Sequence, residues 1–189
     1  VMQAGWTGLL VSEEHNGLGL GLYELALILD EAGQQLWHEP VAATCAGAYV
    51  LSKTKKSNHL KQVLEDGVVV LPVCVDGDDT YNKMQSAPVL QKSGDHWMLN
   101  GLVRFVPFVN LESLLLISAI DEQGRCALVS LSAKAMGVLL TRRSRLDDSL
   151  VSDIEFQNVE FQTQDILAWD DAAIQLIDDM KTILRVGIS

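Results

Sequence analysis

The stretch Asp95–Asn110, DHWMLNGLVRFVPFVN, constrains the fold more than any other part of this sequence. It opens with period-two alternation. Trp97 and Leu99 fall on one face, His96 and Met98 on the other, which predicts a strand. Asn100-Gly101 follows. This dipeptide predicts a two-residue type I′ turn, because both central residues of that turn need φ > 0. The chain then returns through Leu102, Val103, Phe105 and Val106. Pro107 has no backbone N–H, so the returning strand must end, bulge or lie at an edge there.

The segments before this hairpin read as helices. Apolar residues at Leu22, Leu25, Ala26, Leu29 and Ala32 form a helical stripe, opposed by Glu24, Asp30, Glu31 and Gln34. Val41–Leu51 is small and apolar, as expected of a helix buried among neighbours, and Pro40 sits where a first-turn proline is tolerated. Ser57-Asn58 can cap a short helix at His59–Glu65. Composition changes after Asp66-Gly67. Val68–Val75 (VVVLPVCV) predicts a strand buried on both faces. Further strands are expected at Ala87–Lys92, Leu114–Ile120, Cys126–Leu131, Val138–Arg142 and Ile154–Phe161. Turn signals lie at Ser93-Gly94-Asp95 and Asp121–Gly124. Asp170–Val186 is an amphipathic helix with Ile174, Ile177, Ile183 and Leu184 on one stripe. Asp170 and Asp171 stand at its positive end, and Lys181 and Arg185 near its negative end.

The fold class expected from this order is α+β. A helical unit spans residues 1–66, an antiparallel β-barrel or sandwich spans 67–168, and a further helix fills 169–189. The opening VMQAGW reads as the interior of a longer sequence.

Composition narrows the function. A net charge of −11 argues against a nucleic-acid surface, which needs clustered cations to displace counterions. Cys45, Cys74 and Cys126 lack metal spacing and fit reduced cytosolic thiols, so a cytoplasmic location is expected. His15, His38, His59 and His96 are scattered, and no metal site is expected. The Asp76-Gly77-Asp78-Asp79 run reads as a solvated turn, because an EF-hand loop is longer and ends in Glu. No apolar run reaches transmembrane length. Arg142, Arg143 and Arg145 lie near Asp147 and Asp148, which reads as local charge pairing. The sharper alternative is an arginine contact with phosphate.

Three motifs carry a resemblance. Gly5-Trp6-Thr7-Gly8-Leu9-Leu10-Val11 with Ser12–Gly19, then Leu99-Asn100-Gly101 with Phe105-Val106-Pro107, then Ile154–Phe161 with Asp165-Ile166-Leu167, occur in this order. The chain resembles acyl-CoA dehydrogenases, whose pattern there is "GW-x-GL-x-VPEE-x-GG-x-G", "LNG-x-K-x-W/F-I/V-T/S" and "I-x-F-x-N/D-V-x-V/F" followed by "D-x-L-L". Ser12, Asn16, Val103 and Pro107 depart from it. So does Asp76–Asn82, which has neither the TEP nor the GSD of the family's flavin loop.

The resemblance implies a helical domain, a middle β domain and the first helix of a C-terminal helical domain. It implies FAD as cofactor, with Phe105, Val106 and Pro107 against the flavin ring. Val73, Val75 and Asp76 fall where backbone groups meet the flavin. Acyl-CoA is the implied substrate, with α,β-dehydrogenation as the reaction. Electron-transfer flavoprotein is the implied acceptor, and a homo- or hetero-oligomer the implied assembly. The catalytic glutamate is expected beyond Ser189, so no catalytic residue is assigned here. A second reading is a non-catalytic, degenerate subunit or scaffold partner of an active dehydrogenase. A third is an acyl-binding module without redox chemistry.

Overall fold

The computed structural model describes residues 5–35, 39–54, 57–74, 87–145 and 150–187. The chain forms two compact units, Val1–Pro72 with Gln175–Ser189, and Val73–Ile174.

The first unit is helical. Two short 3-10 turns, Trp6–Gly8 and Glu13–His15, are tied into one folded loop. The Leu18, Gly19 and Leu20 amides donate to the carbonyls of Gly8, Val11 and Leu9 at 2.8–2.9 Å. Helix α1, Leu22–Gln34, starts where Glu24 reaches back to accept the Gly21 N–H at 2.9 Å. That contact satisfies an orphan donor of the first turn. Helix α2, Val41–Ser52, is buried on most sides, with Cys45, Ala46, Ala48, Val50 and Leu51 fully enclosed. Its small residues permit close approach: a Cβ on Gly47 would lie 2.5 Å from a Val70 methyl. Helix α3 is Ser57–Glu65. Strand β1, Val70–Val73, runs across the border to the second unit.

Helix α4, Asp170–Val186, crosses the second border. Its buried stripe is Ala173, Ile177, Met180 and Ile183, spaced four, three and three. Ile174, expected on that stripe, is half exposed. Met180 takes the inward place, because a helix turns 100° per residue and 180 falls between 177 and 183.

The second unit is built on one sheet. Its strands are β2 (Val89–Ser93), β3 (His96–Pro107), β4 (Leu114–Asp121), β5 (Cys126–Ser132), β6 (Val138–Ser144), β7 (Leu150–Gln162) and β8 (Ile166–Trp169). They pair in the order β6-β7-β3-β2-β4-β5-β8, with β6 and β8 at the two ends, so the sheet is open. The pairs are antiparallel, except that β2 meets β4 in parallel. The chain is therefore α+β. Leu99, Leu115, Leu116, Ile117, Leu128, Ile154 and Phe156 form the core, each at most 2% exposed. Each such side chain contributes about 1.5–3 kcal/mol by leaving water.

The expected hairpin at Asn100-Gly101 does not form. Strand β3 runs straight through it from His96 to Pro107. The two-residue turn lies earlier, at Gly94-Asp95, where Ser93 pairs with His96 and Gly94 takes φ 61°. Asn and Gly serve other ends. Asn100 Oδ1 accepts the Asn158 N–H at 2.8 Å across a bulge in β7. Gly101 has φ 150°, and a Cβ there would lie 2.8 Å from Pro88 Cα. Both residues answer a close approach of neighbouring backbone, not a reversal of direction. Strand β8 was not expected from the sequence. It is only four residues long and half-buried throughout, so it lacks alternation.

The expected pairing of the arginines with Asp147 and Asp148 lies outside the described residues. Within them, Arg143 pairs with Asp153 on the neighbouring strand, its Nε 2.7 Å from Oδ2. The register sets this: Arg143 stands opposite Val151, which puts Asp153 on the diagonal of the same face.

Candidate functional site

The site is built at the C-terminal end of β3, inside the second unit. Along β3 burial alternates from His96 to Leu99, is intermediate over residues 100–102, and past the buried Val103 loses its period: Arg104 and Phe105 are both exposed, Val106 is buried, Pro107 exposed. The pairing explains the break. Val103 pairs with Ile154 and Val106 with Ser152, so two residues of β3 face the single Asp153 of β7. That is a β-bulge. It turns Phe105 into the left-handed region, φ 59°, with its side chain 51% exposed. Phe108, just past Pro107, does the same, with φ 62° and 41% exposure.

This arrangement is costly. An L side chain in the left-handed region costs about 1–2 kcal/mol per residue. A half-exposed ring recovers only part of the burial that a core Phe would gain. The compensating contact is a carboxylate: the Phe105 N–H donates to Asp153 Oδ1 at 3.2 Å. Asp153 is only 6% exposed, and its other oxygen takes the Arg143 Nε. A hydrogen bond to a charged group contributes about 1.5–3 kcal/mol, enough to hold the bulge. The result is a pair of rings turned to the surface, carried on a strand end whose backbone is fixed. Exposed aromatic faces on a rigid support suit the flat, partly apolar surface of an aromatic ligand.

Of the residues singled out from the sequence, Phe105, Val106 and Pro107 lie together on this strand end. The Val106 side chain points inward, 6% exposed, so any contact it offers outward is by backbone. Pro107 has neither N–H nor hydroxyl to offer. Val73 is the last residue of β1, with its side chain buried. Val75 and Asp76, like the Asp76–Asn82 loop, lie outside the described residues. Sequence reading missed Asp153 and Phe108. The usable signal for Asp153 was a carboxylate among the apolar residues that open β7.

Two further features bear on chemistry. In the first unit, Leu10, Leu20, Leu22, Tyr49, Thr182 and Ile183 line a largely apolar pocket of about 200 Å³. In the second, burial of Asp121 opposes its ionisation. Even so, the Arg125 and Gln123 N–H groups and the Arg125 guanidinium, 2.8 Å away, hold its carboxyl below the usual range. Arg125 lies over the Trp169 ring, and Trp169 packs on Trp97 at 5.3 Å between centroids. That cluster closes the β4–β5 turn and needs no ligand to explain it. Among the described residues, no group of three or more His, Cys, Asp or Glu side chains could hold a metal ion. Nor, among them, is any helix long and apolar enough to cross a membrane.

Burial also raises the thiol of Cys45 to about 12, and its Sγ sits 3.1 Å from the Trp6 carbonyl oxygen. A neutral, enclosed thiol is inert as a nucleophile. None of the three cysteines forms a disulfide.

No family model matches the sequence, and no curated protein matches it. Solved structures do. A steroid ACAD variant, G363A of Tcur3481-Tcur3483, aligns over 98% of this chain and 51% of its own, at 21% identity and TM-score 0.79. The ChsE4-ChsE5 complex from Mycobacterium tuberculosis aligns over 99% of this chain and 52% of its own, at 18% identity and TM-score 0.81. A glutaryl-CoA dehydrogenase from Mycobacterium smegmatis in complex with FADH2 aligns over 98% and 51%, at 16% identity and TM-score 0.79. The chain thus spans about half the length of these structures. Helical unit, open antiparallel sheet and closing helix together make the fold that this chain shares, over that half, with acyl-CoA dehydrogenases.

Proposed function

We propose that this chain is part of an acyl-CoA dehydrogenase-like flavoprotein and supplies one wall of its FAD site. The observation that carries the reading is the bulged end of β3, which turns Phe105 outward on a fold matched by a flavin-bound dehydrogenase. The residues fit the ring of a flavin on their apolar side. Phe105 offers a half-exposed ring, and the backbone of Val106 and Pro107 continues the same edge. They do not supply the hydroxyl contact that family members make, because proline stands at 107. Bound FAD would supply the hydride acceptor for α,β-dehydrogenation of an acyl-CoA thioester.

This chain's own residues would pack and orient that cofactor and keep water from one face of it. The apolar pocket beside Tyr49 offers space for an apolar group such as part of an acyl chain. The base that takes the α-proton is not assigned to any residue here. Electron-transfer flavoprotein is the proposed acceptor, a larger oligomer the proposed assembly and the cytoplasm the proposed compartment. The proposed domain limits are 1–66, 67–168 and 169–189.

A second reading has specific support. Pro107 and the acidic Asp76–Asn82 run remove polar flavin contacts. The ChsE4-ChsE5 neighbour is described as a complex of two named components. A non-catalytic partner subunit would fit both facts. Flavin titration and acyl-CoA turnover, on the full product of the gene encoding this chain, separate the readings. Yellow protein that reduces its flavin on adding acyl-CoA supports the first. Colourless protein that restores flavin binding only with a second subunit supports the second.

A further inference from the structure

We propose that Asp153 is a positioning residue: with Arg143 it holds the β3 bulge so that Phe105 stays turned outward as a ligand platform. The proposal rests on the reading of Phe105–Pro107 as a flavin contact and names what keeps that contact in place.

The bulge is not a way of ending the strand. Pairing resumes beyond it, at Val106 with Ser152 and Pro107 with Val151. An unbulged strand would pair through this region without any carboxylate. The extra residue denies the Phe105 N–H its ladder acceptor, and Asp153 Oδ1 takes that place at 3.2 Å. The carboxylate is itself enclosed, and such a group is tolerated only when its oxygens are engaged. Arg143, half exposed on β6, engages the second oxygen at 2.7 Å. Two strands thus contribute charged groups to fix one backbone amide of a third. What this device secures is not burial, since the ring it sets in place is 51% exposed. A strained residue held by its surroundings and presented to the surface is the pattern of a functional position.

The test uses the full product of the gene encoding this chain, with Asp153→Ala, Asp153→Asn and Arg143→Gln. Amide hydrogen exchange at Phe105, read by NMR, is compared with Leu99 on the same strand. Asp153→Ala is expected to speed Phe105 exchange about tenfold, as loss of one hydrogen bond implies, with Leu99 unchanged. Asp153→Asn keeps an acceptor oxygen and is expected to restore most of the protection. FAD titration should follow the same order, with affinity about tenfold weaker in Asp153→Ala and largely recovered in Asp153→Asn. Equal Phe105 protection in the native chain and Asp153→Ala overturns the proposal. So does native FAD affinity in a variant whose Phe105 amide has lost protection. If the native full product binds no FAD, the functional reading fails by itself, and the exchange comparison still decides the role of Asp153. Should Asp153→Ala not fold, Arg143→Gln carries the test. Phe105 exchange about threefold faster is expected there, because the carboxylate loses its anchor, and unchanged exchange refutes the device.

Discussion

Replacing Gly101 by alanine tests the account of β3 most directly. Two costs add. The backbone at φ 150° is one that L side chains rarely adopt, and such strain costs about 1–3 kcal/mol. The new Cβ would also lie 2.8 Å from Pro88 Cα and 3.1 Å from Pro88 Cβ. Pro88 cannot retreat cheaply, because its carbonyl accepts the Ile120 N–H at 2.9 Å and the next residue, Val89, pairs with Asn100. Overpacking against fixed backbone costs about 1–3 kcal/mol more. The total is about 2–6 kcal/mol, and its lower end alone lowers Tm by about 8 °C in a unit of this size. Gly94 is the control. It has φ 61°, but a Cβ added there would meet nothing within 4 Å, so Gly94→Ala carries the backbone cost alone, about 1–2 kcal/mol. Urea and thermal unfolding can be followed by near-ultraviolet circular dichroism of the Trp97–Trp169 pair, which belongs to the same unit. A Gly101→Ala cost no larger than that of Gly94→Ala would refute the close approach of Pro88.

Phe156→Ala, at a side chain 2% exposed, should destabilise by about 3–5 kcal/mol, checked by the same urea titration. Cys45 should resist a thiol reagent such as Ellman's in the folded protein and react once it is unfolded. Its raised pKa also predicts stability that is full below the unfolded thiol's value, near 8.5, and lost as pH rises towards about 12. Cys45→Ala should flatten that alkaline loss. Asp121 works in the opposite direction. Its carboxyl is held below the ordinary range, so its contribution is present above the unfolded carboxylate pKa and lost as pH falls through the folded one. Asp121→Asn should remove that acid-side dependence in a stability-against-pH series.

The helices were legible in the sequence because their cues are local. The stripe from Leu22 gives the start of α1, and the small apolar run from Val41 and the charge gradient of Asp170–Val186 give α2 and α4 with bounds within a residue of those seen. Strands β4 and β5 were legible for a similar reason: their continuous apolar runs need no partner to be recognised. What failed was the meaning of Asn100-Gly101. An Asn-Gly pair reports only that the backbone needs unusual freedom. Whether that freedom serves a turn, or a bulge beneath Pro88 and beside Asn158, depends on strands distant in sequence. The candidate site divides the same way. Phe105-Val106-Pro107 could be picked out by motif, and Pro107 foretold the end of β3. That Phe105 takes φ 59°, and that Asp153 partners Arg143, was decided by the register of β6, β7 and β3. Register is a tertiary property, because one residue of slip moves every side chain to the other face and the local pattern on either side of a bulge cannot reveal it.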